Sequence, residues 1–229
     1  MDSMYTSGEY LRNNPTFHVE DASWKARHIL QMIEKHRLQP GRVGEVGCGA
    51  GAILKELQAR LPAETVFEGS DVSPDGIELA RQHENGRLRF VRQDIAAIPD
   101  GAYDLVLCID VFEHVEDYLG FLRTLRGKGT YKIFHIPLDM TALSVARNSQ
   151  TFLRQAVGHL HYFSPDTALL TLRDAGYEII DWRFTPARID QTPTRAARLL
   201  RLPRRAAFAI NQPLAVRVLG GYSLLALAR

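Results

Sequence analysis

The sequence predicts an α/β fold class, a doubly wound parallel sheet, and three observations carry that expectation. A short apolar strand at 42–47 runs into a glycine turn and a helix, strand and helix patterns then alternate along the chain, and acids recur where the strands end. With 229 residues, 45% of them hydrophobic, one compact domain with a sizeable core is expected.

The elements follow in order. "RVGEVG" (42–47) lies between Pro40-Gly41 and the glycines, and "AILKELQARL" (52–61) places Ile53, Leu54, Leu57 and Leu61 at helical spacing. Residues 65–71, "TVFEGSD", read as the next strand, after which Ser73, Pro74 and Asp75 supply an N-cap, a first-turn proline and an early acid. Strands at 88–94, 103–110 and 130–137 come next, the last two joined by the helical pattern "DYLGFLRTL". Ser164-Pro165-Asp166 opens another helix, and strands at 177–184 and 222–228 close the chain with only an arginine-rich stretch between them, so that they can pair as an antiparallel hairpin. Upstream, 18–36 reads as an amphipathic helix beginning near Asp21 or Ser23, with Trp24, Ile29, Leu30 and Ile33 near one face.

Charge is unevenly spread. From Arg183 onward there are nine arginines against the single acid Asp190, whereas residues 1–182 carry 19 basic and 25 acidic side chains. Within 193–221, Leu199, Leu200 and Leu202 alternate with Arg195, Arg198, Arg201, Arg204 and Arg205 in two helical patterns broken by Pro203 and Pro213. An insertion that packs its leucines on the sheet or a partner subunit is expected, which leaves a homodimer open; contact with an anionic membrane surface or a lipidic substrate is the competing expectation. The near-balanced total of +2 and the lack of interleaved aromatics argue against a nucleic-acid surface. The first residues lack the basic and apolar regions of a signal peptide, and Cys48 and Cys108 have no metal or redox spacing, so a reducing, cytoplasmic location is expected.

"GEVGCGAGA" (44–52) admits two nucleotides. Gly47-x-Gly49-x-x-Ala52, with Asp71 downstream, satisfies a dinucleotide fingerprint and would make the chain an NAD(P)-dependent oxidoreductase. Against that stand four carboxylates at successive strand ends, Glu45, Asp71, Asp94 and Asp110, an edge that suits a cationic ligand better than a pyrophosphate. The ordered set "EVGCGAG", Asp71, "QDI" (93–95) and "DVFEHV" (110–115) resembles the class I S-adenosylmethionine (SAM)-dependent methyltransferases, and "FEHV" resembles the "LEHV" of quinone-biosynthesis and related small-molecule enzymes.

That resemblance covers about residues 40–185 and implies a Rossmann-like sheet of seven strands, mostly parallel with one antiparallel. It implies a cofactor site of Glu45, Gly47, Cys48, Gly49 and Gly51, with Asp71 and Val72 at the ribose, Asp94 and Ile95 at the adenine, and Asp110 and His114 from the fourth-strand motif. Residues 1–38 would form a helical lid, with Tyr10, His18, Trp24 and Lys25 closing over the methionine end, the alternative being a packing helix anchored by Trp24; 40–185 would be the SAM-binding core, 186–221 the basic insertion and 222–229 the last strand. The expected reaction is methyl transfer to oxygen or nitrogen of a small molecule, the non-enzymatic competitor being a SAM-binding protein. Because such an acceptor must lose a proton, His135, His161 and His114 are candidate bases. His159-x-His161 with Asp139 fixes no third metal ligand by spacing, so no metal is expected.

Overall fold

The structure, a computed structural model, describes residues 4–191 and 195–229, with backbone alone for residue 188 and residues 195–200. Seven strands form one sheet: β1 (Arg42–Val46), β2 (Val66–Asp71), β3 (Leu88–Arg92), β4 (Tyr103–Ile109), β5 (Gly129–Pro137), β6 (Ile179–Thr185) and β7 (Ser223–Ala228). Their order is β3-β2-β1-β4-β5-β7-β6. Strands β1 to β5 pair in parallel, while β7 inserts antiparallel between β5 and β6, setting Leu225 opposite both His135 and Arg183. The hairpin expected from the last two strands is present, and its second strand is an interior one.

The helices are α1 (Glu9–Asn13), α2 (Ala22–Lys35), α3 (Ala52–Gln58), α4 (Pro74–Ala80), α5 (Tyr118–Arg126), α6 (Ala142–Ala146), α7 (Ser149–Ala156), α8 (Pro165–Asp174), α9 (Ala187–Asp190), α10 (Arg195–Ile210) and α11 (Gln212–Leu219). They cover both faces of the sheet, so the central strands read as nearly unbroken apolar runs. Along β4, Leu105, Leu107 and Ile109 join Ile29, Ile33, Leu54 and Leu57 in one core, while Val106 and Cys108 join Leu122, Leu125 and Leu172 in the other. Each such fully buried leucine contributes about 1.5–3 kcal/mol of transfer free energy.

Local signals explain the helix ends. Ser73 Oγ accepts the Gly76 N–H to start α4, and Ser164 with Thr167 forms a capping box on α8. Helix α3 stops at Gln58, short of the expected 61, because the Arg60 and Leu61 N–H groups both turn onto Leu57 O ahead of Pro62. Pro203 lies inside α10, where a break was expected; the chain forgoes one backbone hydrogen bond there and the helix continues to Ile210. Pro213 sits in the first turn of α11, where its missing N–H has no helical acceptor to satisfy. Helices α6 and α7 have no counterpart in the sequence expectations, since α6 is only five residues long and rests on the Thr141–Ser144 capping box. Leu199, Leu200, Arg195 and Arg198, central to the expected basic helix, have side chains outside the described residues.

Candidate active site

Strand order reverses between β1 and β4, and the carboxyl ends of the strands at such a switch point leave a crevice. A cavity of about 570 Å³ opens there, within the usual range for a small-molecule site. The turn after β1 shapes its floor. Gly47 has φ +76°, and a Cβ there would sit 2.5 Å from Val111 Cγ2; Gly51, at φ +73°, starts α3 beneath the Phe90 ring. Asp71, at the end of β2, ties that turn down: its carboxylate accepts the Gly49 and Ser73 N–H groups, each at 2.8 Å. Asp94 does the same for the third strand end, accepting the Ala96 N–H at 2.8 Å.

Two buried acids meet the α2 side of this floor. Glu45 is 2% exposed, its Oε2 has no hydrogen-bond partner among the described residues, and burial pushes its pKa up to about 8. Asp110 follows β4 with a left-handed backbone, φ +54°, which a short polar residue tolerates. Its carboxylate receives the Lys25 ammonium at 2.8 Å and His135 Nδ1 at 2.6 Å. Burial would raise the Asp110 pKa, but His135 and Lys25 overcome it and hold the group well below the usual carboxylate range.

A second polar cluster lies where segment 157–159 closes the cavity. Glu113 is fully buried with neither carboxylate oxygen hydrogen-bonded among the described residues, His114 Nε2 standing 3.9 Å from Oε1, and desolvation, with Asp110 adding, pushes its pKa well up. His114 Nδ1 bonds the Tyr5 hydroxyl at 2.7 Å, and that hydroxyl donates to Val157 O at 2.9 Å. Burial lowers the His114 pKa to about 4, so the ring is neutral at physiological pH. His159 stands against it, ring centroids 4.8 Å apart, with Nδ1 2.8 Å from Asp139 Oδ2. Donor atoms of Glu113, His114 and His159 lie within 4.8 Å of one another, a spacing open to a cation.

Of the cofactor residues expected from the sequence, all line the cavity except Gly51 and Trp24. Gly51 is spent on packing beneath Phe90, and Trp24 turns from the cavity to give its indole N–H to Asp190 Oδ2 at 2.9 Å. Among the three candidate bases only His114 lies on the cavity wall. His135 is 3% exposed and clamped between Asp110 and Thr185 Oγ1, the latter at 2.9 Å. His161 Nε2 is 3.0 Å from Val115 O, and its ring packs on Tyr118 with centroids 4.5 Å apart. The sequence reading passed over Glu113 and Tyr5. Glu113 carried a signal, an acid set between Phe112 and His114 just after the fourth strand; Tyr5 had none, because it meets His114 across 109 positions of chain.

Residues 19–181 match the family model described as a methyltransferase domain. The chain is a class I SAM-dependent methyltransferase. This methyltransferase is 32% identical over 183 residues to the ubiquinone biosynthesis O-methyltransferase of Xanthomonas axonopodis pv. citri, the match covering 70% of this chain and 75% of that protein. It is 38% identical over 183 residues to the protein of the same description from Xanthomonas campestris pv. campestris strain B100, again 70% of this chain and 75% of the relative. Among solved structures, magnesium protoporphyrin IX methyltransferase from Synechocystis PCC 6803 with bound S-adenosylhomocysteine superposes with a TM-score of 0.60 at 19% identity, covering 90% of this chain and 83% of that one. The family overturns the oxidoreductase alternative and makes SAM, not NAD(P), the cofactor of this methyltransferase. No helix of the described residues is long and apolar enough to cross a membrane.

Proposed function

We propose that the enzyme transfers the methyl group to an oxygen of a small, largely apolar molecule. The observation that carries this reading is the division of the cavity wall: acidic where β1 to β3 end, apolar and histidine-bearing where Phe121, Leu153, Val157 and His159 face it. Two relatives described as O-methyltransferases, at 32% and 38% identity, favour oxygen over nitrogen.

The acidic side fits SAM, which supplies an electrophilic methyl group on a sulfonium. Glu45 is a buried acid with an unpartnered oxygen on the cavity wall, the acceptor that an ammonium group requires. Lys25, also on the wall, has three N–H donors and spends one on Asp110, leaving others for the carboxylate of the same amino-acid end. Asp71 uses one lone pair of each oxygen on backbone N–H groups and keeps the others for the ribose hydroxyls. Asp94 and Ile95 line the wall at the third strand end, where adenine would sit. Protein groups therefore align the reactants and exclude water; they form no covalent bond to either. The test is a transfer screen with methyl-labelled SAM across phenols, quinols, aliphatic alcohols, amines and carboxylates. Label in a hydroxyl-bearing product supports the proposal; label confined to amines overturns it.

The basic segment supports a lipidic acceptor. Leu202, Ile210 and Leu214 are 73%, 85% and 57% exposed, and Arg201 and Arg205 beside them are exposed too, a surface suited to anionic headgroups. Flotation with vesicles containing phosphatidylglycerol, and not with phosphatidylcholine alone, is expected, and charge reversal of Arg201 and Arg205 should abolish it.

A further inference from the structure

We infer that His159, oriented by Asp139, is the general base that removes the acceptor proton. The inference rests on the proposed transfer to a hydroxyl and places the base on a residue outside the sequence-expected set.

Among the histidines on the cavity wall, geometry separates His159 from its neighbours. His159 is 8% exposed, and its Nδ1 faces Asp139 Oδ2 at 2.8 Å. A carboxylate at that distance selects the tautomer with hydrogen on Nδ1, which leaves the Nε2 lone pair as the acceptor. Nε2 has no protein hydrogen-bond partner among the described residues. His114 differs: its Nδ1 meets the Tyr5 hydroxyl and not a carboxylate, and its Nε2 stands 3.9 Å from Glu113 Oε1. His18 also lines the cavity, but no hydrogen bond among the described residues fixes its ring.

The support behind the pair is built. Ser144 Oγ and Gln150 Nε2 donate to Asp139 O at 2.6 and 3.1 Å, which ties the Asp139 backbone to α6 and α7. The single Tyr162 hydroxyl proton is shared between Gln150 O at 2.8 Å and His159 O at 3.0 Å, which ties down the backbone that carries the imidazole. The groups facing the ring are therefore Asp139 from the end of β5, Glu113 and His114 from the turn after β4, and Tyr162 from its own segment. Pre-organisation of this kind lets a base act without reorganising.

The step balances as follows. The hydroxyl proton passes to His159 Nε2, an oxygen lone pair forms the new C–O bond, and the electron pair of the breaking C–S bond leaves with sulfur. The products are a methyl ether, S-adenosylhomocysteine and an imidazolium whose charge Asp139 offsets; that imidazolium returns its proton to solvent.

Two measurements test the assignment. In long-range 1H–15N spectra of the full-length wild-type protein, His159 should show the Nδ1–H tautomer, and Asp139→Asn should lose it; an Nε2–H tautomer in the wild type overturns the inference whatever the acceptor. With the acceptor found by the screen, His159→Gln should lower kcat by about 100-fold or more and Asp139→Asn by about tenfold or more. Calorimetric affinity for S-adenosylhomocysteine and the acceptor KM should stay within about twofold of wild type in both variants, which separates lost proton transfer from misfolding. Retention of a third or more of wild-type kcat by His159→Gln overturns the base while leaving oxygen methylation standing. Saturable broadening of the His114 and His159 ring signals by Mn2+, with activity lost to a chelator and restored by the metal, also overturns it.

Discussion

Asp110 and Glu113 leave the end of β4 within one turn of each other, and the cavity treats them in opposite ways. Asp110 is saturated, with Lys25 from α2 on one oxygen and His135 from β5 on the other, and it is held ionised. Glu113 is buried more deeply and has no hydrogen-bond partner for either oxygen among the described residues, so desolvation pushes its pKa well up and favours the protonated form. Two carboxylates on one short turn thus supply a fixed negative charge and a neutral acid. What separates them is which elements pack overhead: the helix above Asp110 brings an ammonium within hydrogen-bond reach, whereas the segment above Glu113 brings imidazole rings and backbone that make no hydrogen bond to its carboxyl group. Glu45 sits with Asp110 on the floor yet behaves like Glu113, because one of its oxygens awaits a donor.

Four predictions test that contrast. The largest concerns Glu45. Its folded pKa, about 8, lies above the ordinary value of 4.5, so the folded state holds a proton that the unfolded chain releases. Its contribution to stability is complete below pH 4.5 and is lost as the pH rises through 8. Glu45→Gln should therefore change the stability of the cofactor-free protein little at pH 4 and raise it by up to about 5 kcal/mol near pH 9. Urea denaturation at the two pH values measures this; a pH-independent difference would show that the acid is already paired.

Asp110→Asn comes next. It strands the Lys25 ammonium in a desolvated site and should cost about 3–4 kcal/mol at neutral pH in the same assay. Asp71→Ala should weaken S-adenosylhomocysteine binding by about tenfold or more in calorimetry. Unchanged affinity there would confine Asp71 to bracing Gly49 and Ser73. The smallest effect belongs to Glu113→Gln, which swaps a neutral acid for a neutral amide of nearly equal size and should shift stability by less than about 1 kcal/mol at pH 7. A loss equal to that of Asp110→Asn would mean that Glu113 is ionised and paired, and the contrast would fail.

Legibility from sequence differed across the site in the same way. The strands, the glycine turn and the acids Glu45, Asp71 and Asp94 could be read because β1 to β4 place consecutive residues on one edge, where short-range pattern fixes position. His135 looked like a base for the same reason, sitting near a strand end beside Asp139, yet Asp110 beyond β4 and Thr185 of β6 take both ring nitrogens. His161 and His159 differ by two positions and were indistinguishable by spacing; the first lies on Tyr118 and the second opens to the cavity. Nothing local could decide which.

By itself, then, the sequence determined the α/β class, the strand that ends in Glu45 and the acids that suit a sulfonium cofactor. These follow from hydrophobic period, turn chemistry and charge, which act over a few residues. Only the tertiary structure decided the opposite pKa directions of Asp110 and Glu113 and which histidines line the cavity. Desolvation and pairing depend on groups brought from α2, β5 and the segment around 139–162, and no local pattern encodes those distances.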